Sequence, residues 1–430
     1  MKVLIVTYYW PPAGGPGVQR WLYFAKYLSN FGIEPIVFIP ENPDYPILDD
    51  SLQKEIPADV KVITFPIIEP YAIAKKLSKS NTTTMSKGVL PNENKQSFLQ
   101  KSLLWIRGNC FIPDARVLWV KPAIKFLEKC IEENNINSII TTGPPHSVHL
   151  IGLGLKNKLG IKWIADFRDP WTSIGYHAKL KLNKRAIKKH SALEKEVLNT
   201  CNLLIVTSKG TKKHFETKTS NTIKVITNGF EPNEIDNNLS LDTQFTISHI
   251  GSFLSDRNPK ILWEALSELI QEEKKFAAKF KLQLVGIISD AVIDSIKSFG
   301  LKEFLENKGY VSHEEALVHQ KKSQLLLLVE IDAVETKQII PGKLFEYLKS
   351  GRPILAVTPS NSEVASIITT TNCGAVFNYS EKEALKTYIY NCFRLYEKKC
   401  LNVKSREIEQ YTRKNLTAKL AEEIHQLWDL

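Results

Sequence analysis

A predicted helix that begins at Pro341 and ends before Gly351 carries the residues best suited to bind a phosphorylated ligand. At its start, near Gly342 and Lys343, the backbone N–H groups lack partners and the helix dipole is positive, and both features favour an anion. One turn further lies Glu346, the one carboxylate of this helix. A carboxylate can accept two hydrogen bonds from a vicinal diol such as a ribose. A phosphate beside a ribose describes a nucleotide.

The elements around this helix predict that it starts at the carboxyl end of a buried strand. An apolar run at 325–329 precedes it, and a second short strand at 353–357 follows. Open α/β sheets bind ligands at the carboxyl ends of their strands, so this placement favours a site. The alternative interpretation is an ordinary amphipathic helix packed in an α/β domain.

Alternating strand and helix patterns run through almost the whole chain, which predicts α/β architecture with parallel sheets covered by helices on both faces. A chain of 430 residues is too long for one ordinary core, so we expect two similar domains. Residues 231–243 are rich in Asn, Asp and Ser, which suits a linker. Residues 78–98 are polar and lack periodicity, which predicts a mobile insertion.

Composition argues for a cytoplasmic protein without a membrane span. The hydrophobic content of 43% and the charged content of 24% are ordinary for a soluble globular chain. No apolar run approaches the roughly 18–20 residues of a membrane span, and the first residues lack a signal-peptide layout. The six cysteines are scattered without metal-ligand spacing, so we expect reduced thiols and no metal site.

The basic balance of the chain suggests an anionic partner. The net charge is +11, from 57 basic and 46 acidic residues. No aromatic residues interleave with the basic ones, so we expect no nucleic-acid partner. The densest basic cluster either docks on anionic lipid or is a solvated helix face. It comprises Lys179, Lys181, Lys184, Arg185, Lys188 and Lys189.

A glycine-rich loop with Gly15 and Gly17 follows the first predicted strand and opens the first helix. Glycines at such a place let the backbone approach a phosphate or a sugar closely. The loop lacks the G-x-G-x-x-G spacing of dinucleotide sites, which argues against a Rossmann oxidoreductase. A turn selected only for its geometry is the other interpretation.

Two further groups follow predicted strands in the first half. His146 comes after Gly143-Pro144-Pro145 and can exchange a proton near neutral pH, although His149 competes for the role and helix capping is the alternative. After the next strand, charges at a strand end are costly unless they are paired or functional. We interpret this second group as lining the catalytic centre and acceptor side, with Trp171 as a stacking face for a sugar. The group comprises Asp166, Arg168, Asp169 and Trp171.

An internal ion pair between Arg168 and an aspartate is the alternative interpretation of that group.

In the second half, Arg257 and Lys260 follow the first predicted strand, and both side chains can bind a phosphate, arginine with two parallel hydrogen bonds. Exposed charges at a helix start are the plain interpretation of this second pair.

The segment from Gln338 to Pro353 resembles the nucleotide-sugar motif of GT-B glycosyltransferases, in particular of glycosyltransferase family 4. In that family two glutamates lie eight residues apart, followed by a small residue, a glycine, a basic or polar residue and a proline. Glu346 and the run at 350–353 match the second half of the motif. Gln338 stands at the position of the first glutamate and keeps hydrogen bonding without the charge. The resemblance covers nearly the whole chain.

The resemblance implies the GT-B fold, two Rossmann-like domains with parallel sheets that face across a cleft. It implies an acceptor-binding domain at 1–230, a linker at 231–243 and a nucleotide-sugar domain at 244–405. A final helix within 406–430 is then expected to pack back on the first domain. The implied activity is retaining, metal-independent glycosyl transfer in cell-envelope polysaccharide synthesis, at the inner face of the membrane.

The resemblance also distributes roles among the candidate residues. The nucleotide-diphosphate sugar is the donor substrate, no cofactor is implied, and the acceptor is a saccharide or a lipid-linked saccharide. A GT-B sugar-nucleotide epimerase and a non-catalytic nucleotide-sugar binder are the alternatives. Catalytic roles fall to His146, Asp166, Arg168 and Asp169, and acceptor binding to Trp171. Donor binding falls to Gly15, Gly17, Arg257, Lys260, Gln338, Gly342, Lys343 and Glu346.

Overall fold

The computed structural model describes residues 1–69, 98–173, 180–232 and 239–429. The chain divides into two compact units. Unit 1 comprises Met1–Asn228 together with Arg413–Leu430, and unit 2 comprises Gly229–Thr412. The insertion expected at 78–98 lies outside the described residues but for its last position.

Unit 1 is built on a parallel sheet of seven strands in the order β3-β2-β1-β4-β5-β6-β7. Because every strand runs in the same direction, the segments that follow β1, β4 and β5 emerge at one edge of the sheet. The strands are β1 Lys2–Val6, β2 Glu34–Glu41, β3 Lys61–Pro66, β4 Ser138–Gly143, β5 Lys162–Phe167, β6 Leu203–Val206 and β7 Ile223–Val225.

Helices cover this sheet, and the last helix of the chain belongs to unit 1. The first helix buries Trp21, Ala25 and Leu28, whose spacing places them on one face. Leu420 and Ile424 of the last helix share the same hydrophobic cluster. The helices are α1 Pro16–Leu28, α2 Phe98–Cys110, α3 Val117–Glu133, α4 Ser147–Leu159, α5 Lys184–Thr200, α6 Lys209–Glu216 and, at the end of the chain, α14 Arg413–Asp429.

Unit 2 has a parallel sheet of six strands in the order β10-β9-β8-β11-β12-β13. The central strand β11 is an unbroken run of buried aliphatic residues, as expected for a parallel strand with both faces covered. The strands are β8 Phe245–Ile250, β9 Phe280–Val285, β10 Leu305–Gly309, β11 Leu325–Val329, β12 Ile354–Val357 and β13 Gly374–Phe377.

The helices of unit 2 alternate with its strands, so each crossover returns the chain to the same end of the sheet. The helices are α7 Lys260–Glu272, α8 Lys274–Lys279, α9 Asp290–Ser298, α10 His313–Lys322, α11 Gly342–Ser350, α12 Glu363–Thr371 and α13 Lys382–Glu397.

The boundary between unit 2 and the last helix lies later than position 406. Glu407 has a left-handed backbone with φ of 56°, and residues 408–411 form a short 3-10 turn. The backbone N–H of Phe230 donates to the Tyr411 carbonyl at 3.1 Å, which ties this turn to unit 2. The long helix α14 therefore begins only at Arg413.

Candidate functional site

The start of α11 is an uncapped helix N-terminus at the carboxyl end of unit 2's sheet. Pro341 is its N-cap residue, and among the described residues no side chain caps it. The first turn contains no acidic residue. The first-turn amides and the positive end of the helix dipole therefore remain available to an anion.

The far end of α11 is held by the residues that complete the motif. Gly351 ends the helix in the left-handed conformation, with φ of 69°. Arg352 is buried, and its guanidinium donates to the carbonyl oxygens of Ser323 at 2.8 Å and Gln324 at 3.2 Å. Gly351 and Arg352 therefore fix the end of the helix in position, and the Arg352 guanidinium is engaged by backbone carbonyls.

Lys343 extends its ammonium beside the end of β8. Its Nζ lies 3.0 Å from Nε2 of His249, a buried residue of that strand. A Cβ built on Gly251 would lie 3.1 Å from the same Nζ, so the glycine leaves room for the ammonium. Burial lowers the pKa of Lys343 to about 7, and the charge of Arg257 acts in the same direction.

Arg257 lies beside Lys343 and faces a buried carboxylate. Its Nη2 is 3.6 Å from Oε2 of Glu330, the residue after β11. Burial raises the pKa of Glu330, while Arg257 and Lys343 oppose that shift. The two predicted cations Arg257 and Lys343 therefore lie in one electrostatic group near the start of α11.

The Glu346 carboxylate contacts two residues of α10, a helix that precedes α11 in the chain. Its Oε2 accepts a hydrogen bond from Nε2 of Gln320 at 3.1 Å, and its Oε1 lies 4.0 Å from Nε2 of His313. The Glu346 side chain is 24% exposed, so its carboxylate can still be reached from solvent. Gln320 and His313 are on α10, and no local sequence signal marks them as neighbours of Glu346.

Two predicted donor residues lie at the margins of this group. Lys260 is exposed at the first position of α7, and Gln338 is partly buried in the turn that leads towards α11. Their roles towards a donor stay predictions.

In unit 1 the structure brings Gly17 and Arg168 together. A Cβ built on Gly17 would clash with Nη1 of Arg168, so only glycine fits there without moving the guanidinium. The guanidinium is fixed by the carbonyl oxygens of Gly143, at 3.2 Å from Nε, and of Pro144. Gly15 is the N-cap of α1, with φ of 106°. Phosphate or sugar contact by this loop stays a prediction.

The structure corrects the catalytic role predicted for Asp166. This carboxylate is completely buried and accepts hydrogen bonds from Arg20 at 2.8 and 3.3 Å, Trp21 at 2.7 Å and Thr142 at 2.8 Å. Burial by itself would raise the pKa of Asp166, but Arg20 and these donors hold it below the usual value. Asp166 is a structural carboxylate, and its ion-pair partner is Arg20, not Arg168.

The acceptor-stacking role predicted for Trp171 is also wrong. Its ring is 1% exposed and stacks on His146, with 5.1 Å between ring centroids and 3° between planes. Its Nε1 donates to Nδ1 of His190 on α5 at 3.1 Å. Because the ring is enclosed by protein, Trp171 positions the loop after β5 and offers no face to a sugar.

Both histidines near the end of β4 are buried. His146 is the N-cap residue of α4 and is covered by Trp171. His149 lies 2.9 Å from the Thr141 hydroxyl through Nδ1, and burial lowers the pKa of His149 to about 3. His149 is therefore neutral at physiological pH and part of the core, and the catalytic role of the buried His146 stays a prediction.

Arg168 and Asp169 are the charged residues of this run that stay partly accessible. Burial raises the pKa of Asp169, and Arg168 opposes that shift. Burial likewise lowers the pKa of Arg168, with Asp166 and Asp169 opposing. This neighbouring pair remains the candidate for contact with an acceptor.

Sequence reasoning missed a second charged group at the same edge of unit 1. Nη2 of Arg116 donates to the Tyr8 hydroxyl at 3.3 Å, and its Nε lies 3.8 Å from Glu69 Oε1. The Tyr8 hydroxyl donates to Glu69. The Arg116 guanidinium also lies over the Tyr8 ring, 4.6 Å from its centroid. These residues are too far apart in the chain for any spacing to reveal them.

The described part of the basic cluster lies on and just before α5. Ile187 is 53% exposed among these cations. No helix in the part of the chain that the structure describes is both long and apolar enough to cross a membrane. The exposed cluster residues are Lys181, Lys184, Arg185, Lys188 and Lys189.

No protein-family model and no curated protein sequence matches the chain. Solved structures match along nearly its full length at low identity. Sucrose-phosphate synthase from Thermosynechococcus elongatus has a TM-score of 0.60 and 12% identity, over 100% of this chain and 98% of that one.

Two other solved structures match over a similar length. WaaG, a glycosyltransferase involved in lipopolysaccharide biosynthesis, has a TM-score of 0.55 and 13% identity, over 98% of this chain and 99% of its own. Anabaena HepE in complex with UDP-glucose has a TM-score of 0.59 and 13% identity, over 99% and 100%. With its sheets of seven and six parallel strands, the chain has the GT-B fold of glycosyltransferases.

Proposed function

We propose that this protein is a retaining glycosyltransferase that moves a sugar from a nucleotide-diphosphate sugar to a saccharide or lipid-linked acceptor. The observation that carries the proposal is the start of α11, where uncapped amides, Lys343 and Glu346 lie within about one helical turn. An anion beside a diol is the chemistry of a nucleotide. The fold supports the proposal, because WaaG and HepE share it.

Unit 2 is the donor-binding unit in this proposal. The diphosphate binds the first-turn amides near Gly342 and the cations Lys343 and Arg257, which favour its negative charge. The Glu346 carboxylate accepts hydrogen bonds from the ribose hydroxyls. Gln338 hydrogen-bonds the donor sugar, without the charge that a glutamate would bring.

The reaction breaks the bond between the anomeric carbon and the diphosphate oxygen. The acceptor hydroxyl oxygen forms its new bond to that carbon on the same face, and its proton passes to the departing diphosphate. Cations and helix amides lower the barrier because they stabilise the charge that develops on the leaving group. In this scheme neither a metal ion nor a cofactor is required.

The acceptor is proposed to bind unit 1 near Arg168 and Asp169. A saccharide of the cell envelope, free or lipid-linked, is the acceptor class we propose, by analogy with the lipopolysaccharide role stated for WaaG. Such an acceptor places the enzyme in the cytoplasm, at the inner face of the membrane.

The first test is thermal stabilisation of the whole protein by UDP-, GDP-, ADP-, CMP- and dTDP-sugars, with NAD as the control. A ligand at about 100 times its Kd adds roughly 2.7 kcal/mol, or several degrees for domains of this size. We expect one nucleotide base to raise the unfolding temperature selectively. Stabilisation by NAD alone would contradict the proposal and favour an oxidoreductase.

Turnover separates transfer from its alternatives. With the stabilising donor, a transferase releases nucleoside diphosphate only when a saccharide acceptor is added. An epimerase converts the donor without any acceptor, and a non-catalytic binder leaves the donor unchanged with every acceptor. A panel of lipid-linked and free saccharides read by nucleoside-diphosphate release therefore decides among them.

We further propose that α5 docks on an anionic membrane. A lysine near such a surface contributes about 1 kcal/mol, so K184E/K188E is expected to weaken partition to phosphatidylserine vesicles about 30-fold or more. K274E/K275E makes the same charge change on exposed lysines of unit 2 and serves as the control. The measurement is vesicle sedimentation at 0.15 M salt. Equal losses in both variants would contradict the proposal, because binding would then depend on the net charge of the protein and not on α5.

A further inference from the structure

His249 is a buried residue of β8 for which the proposed function has no role. It is completely enclosed and stacks on Phe253, with 4.1 Å between ring centroids. Both of its nitrogens have polar neighbours. Nδ1 lies 3.1 Å from the Leu327 carbonyl, and Nε2 lies 3.0 Å from Lys343 Nζ and 3.4 Å from the Ser252 carbonyl.

These contacts assign the proton of the imidazole. Both nitrogens face a carbonyl, which can only accept, but the Nδ1 contact with Leu327 is shorter, at 3.1 Å against 3.4 Å for Nε2 and Ser252, so we place the hydrogen on Nδ1. Nε2 is then left with its lone pair, and the Lys343 ammonium, which can only donate while charged, fits it at 3.0 Å. The ring stays neutral, because burial and the charge of Lys343 hold the pKa of His249 well below its usual value.

A neutral acceptor matters because carboxylates compete for the same ammonium. The carboxylates of Glu330, at the end of β11, and of Glu346, on α11 itself, attract the Lys343 ammonium, while the Arg257 guanidinium repels it. A salt bridge to either glutamate would cancel the charge of Lys343, and one to Glu346 would also occupy the carboxylate proposed to hold the ribose. A hydrogen bond to imidazole holds the ammonium and leaves its charge uncancelled.

We propose that His249 is a positioning residue that holds the Lys343 ammonium beside the first-turn amides of α11, ready for the diphosphate of the donor. The inference rests on the proposed function, since it concerns the same phosphate site. It explains why β8, which ends at Ile250, carries a buried histidine at this point. Gly251 follows this strand with φ of 105°, a conformation that favours glycine, and a Cβ there would also lie 3.1 Å from Lys343 Nζ.

The chain offers a matched pair of variants for the test. In His249→Gln the amide oxygen can reach the place of Nε2 and accept from Lys343. In His249→Asn the shorter amide can replace Nδ1 towards Leu327 but cannot reach Lys343. Both substitutions remove the same ring from the core, so their thermal unfolding midpoints control for the general loss of packing.

The binding probes are inorganic pyrophosphate and the nucleoside diphosphate chosen by the nucleotide-sugar panel, titrated by calorimetry. We expect His249→Asn to weaken both about tenfold or more at pH 6.5 and His249→Gln to restore most of the loss. In a double-mutant cycle, His249→Asn should add little once Lys343→Met is present, because it acts through that lysine.

The pH dependence of pyrophosphate affinity distinguishes positioning of Lys343 from a purely structural role, which would leave this dependence unchanged. Lys343 is charged below its pKa, so wild-type affinity for pyrophosphate should fall as the pH rises through about 7. Removing the acceptor disfavours the charged form, so in His249→Asn the fall should begin at lower pH. His249→Gln should keep the wild-type profile.

Three results would overturn the inference. The first is equal pyrophosphate affinity of His249→Asn and His249→Gln, and the second is full additivity with Lys343→Met. In either case selective binding of a nucleotide sugar by the wild type would leave the proposed function intact. The third is failure of the wild type to bind pyrophosphate or any nucleoside diphosphate, which removes the proposed function as well.

Discussion

Replacing Glu346 by alanine is expected to weaken binding of the donor about 150-fold. The carboxylate is proposed to accept two hydrogen bonds from the ribose, and hydrogen bonds to a charged group contribute about 1.5–3 kcal/mol each, so the lower end of that range gives a joint loss of about 3 kcal/mol. The measurement is a calorimetric titration of Glu346→Ala with the nucleotide sugar that stabilises the wild type.

Two controls make this experiment specific. Glu346→Gln keeps one acceptor oxygen and should lose less affinity than alanine, because it can still hold one hydroxyl. Glu303→Ala removes an exposed glutamate elsewhere in unit 2 and should leave affinity unchanged.

Inorganic pyrophosphate separates the ribose from the phosphates. Because pyrophosphate has no ribose, Glu346→Ala should bind it about as well as the wild type. An unchanged affinity for the full nucleotide sugar in Glu346→Ala would refute the ribose assignment. The thermal unfolding midpoint of Glu346→Ala must be measured as well. In the wild type the buried Gln320 amide donates a hydrogen bond to Glu346, and its loss in the variant can lower stability.

Replacing Asp166 by asparagine is expected to destabilise unit 1 by about 3–5 kcal/mol, the usual result of breaking a buried ion pair on one side. The new amide group would face Arg20, Trp21 and Thr142, which all donate hydrogen bonds to the carboxylate in the wild type. Arg20 would be left as a buried charge without its carboxylate. The difference in the free energy of unfolding between the variant and the wild type is measured by urea unfolding, monitored with a spectroscopic probe in unit 1.

An exposed pair is the matched control for Asp166. Glu128 and Lys158 form an ion pair at the surface, with side chains 27% and 56% exposed. Such pairs contribute about 0–1 kcal/mol, so Glu128→Gln should change stability little. A loss for Asp166→Asn no larger than that of Glu128→Gln would contradict the structural role.

The pH dependence of stability follows from the same carboxylate. The pKa of Asp166 is held below its usual value in the folded protein, so its contribution is fully present above the unfolded pKa. It is lost as the pH falls through the folded pKa. The stability gap between wild type and Asp166→Asn should therefore be widest at neutral pH and narrow in acid.

The parts of the fold that local pattern predicts are those whose signals lie within one element. The strand β11 has the predicted bounds, 325–329, because an unbroken apolar run marks it directly. The predicted parallel sheets are confirmed for the same reason. Local pattern does not mark the start of α14 at Arg413, because the 3-10 turn at 408–411 that precedes it is joined by a backbone hydrogen bond to Phe230, far away in the chain.

For the candidate site, the sequence by itself determined the local unit on α11: an uncapped start, a lysine in the first turn and a single carboxylate one turn on. These features need only the helix period and the residue types. Only the tertiary structure decided which charges belong together. It paired Asp166 with Arg20, enclosed Trp171, and brought His249 to Lys343 and Gln320 to Glu346. Such partners come from different strands and helices, and burial, which sets their pKa values and their accessibility, arises only when those elements pack.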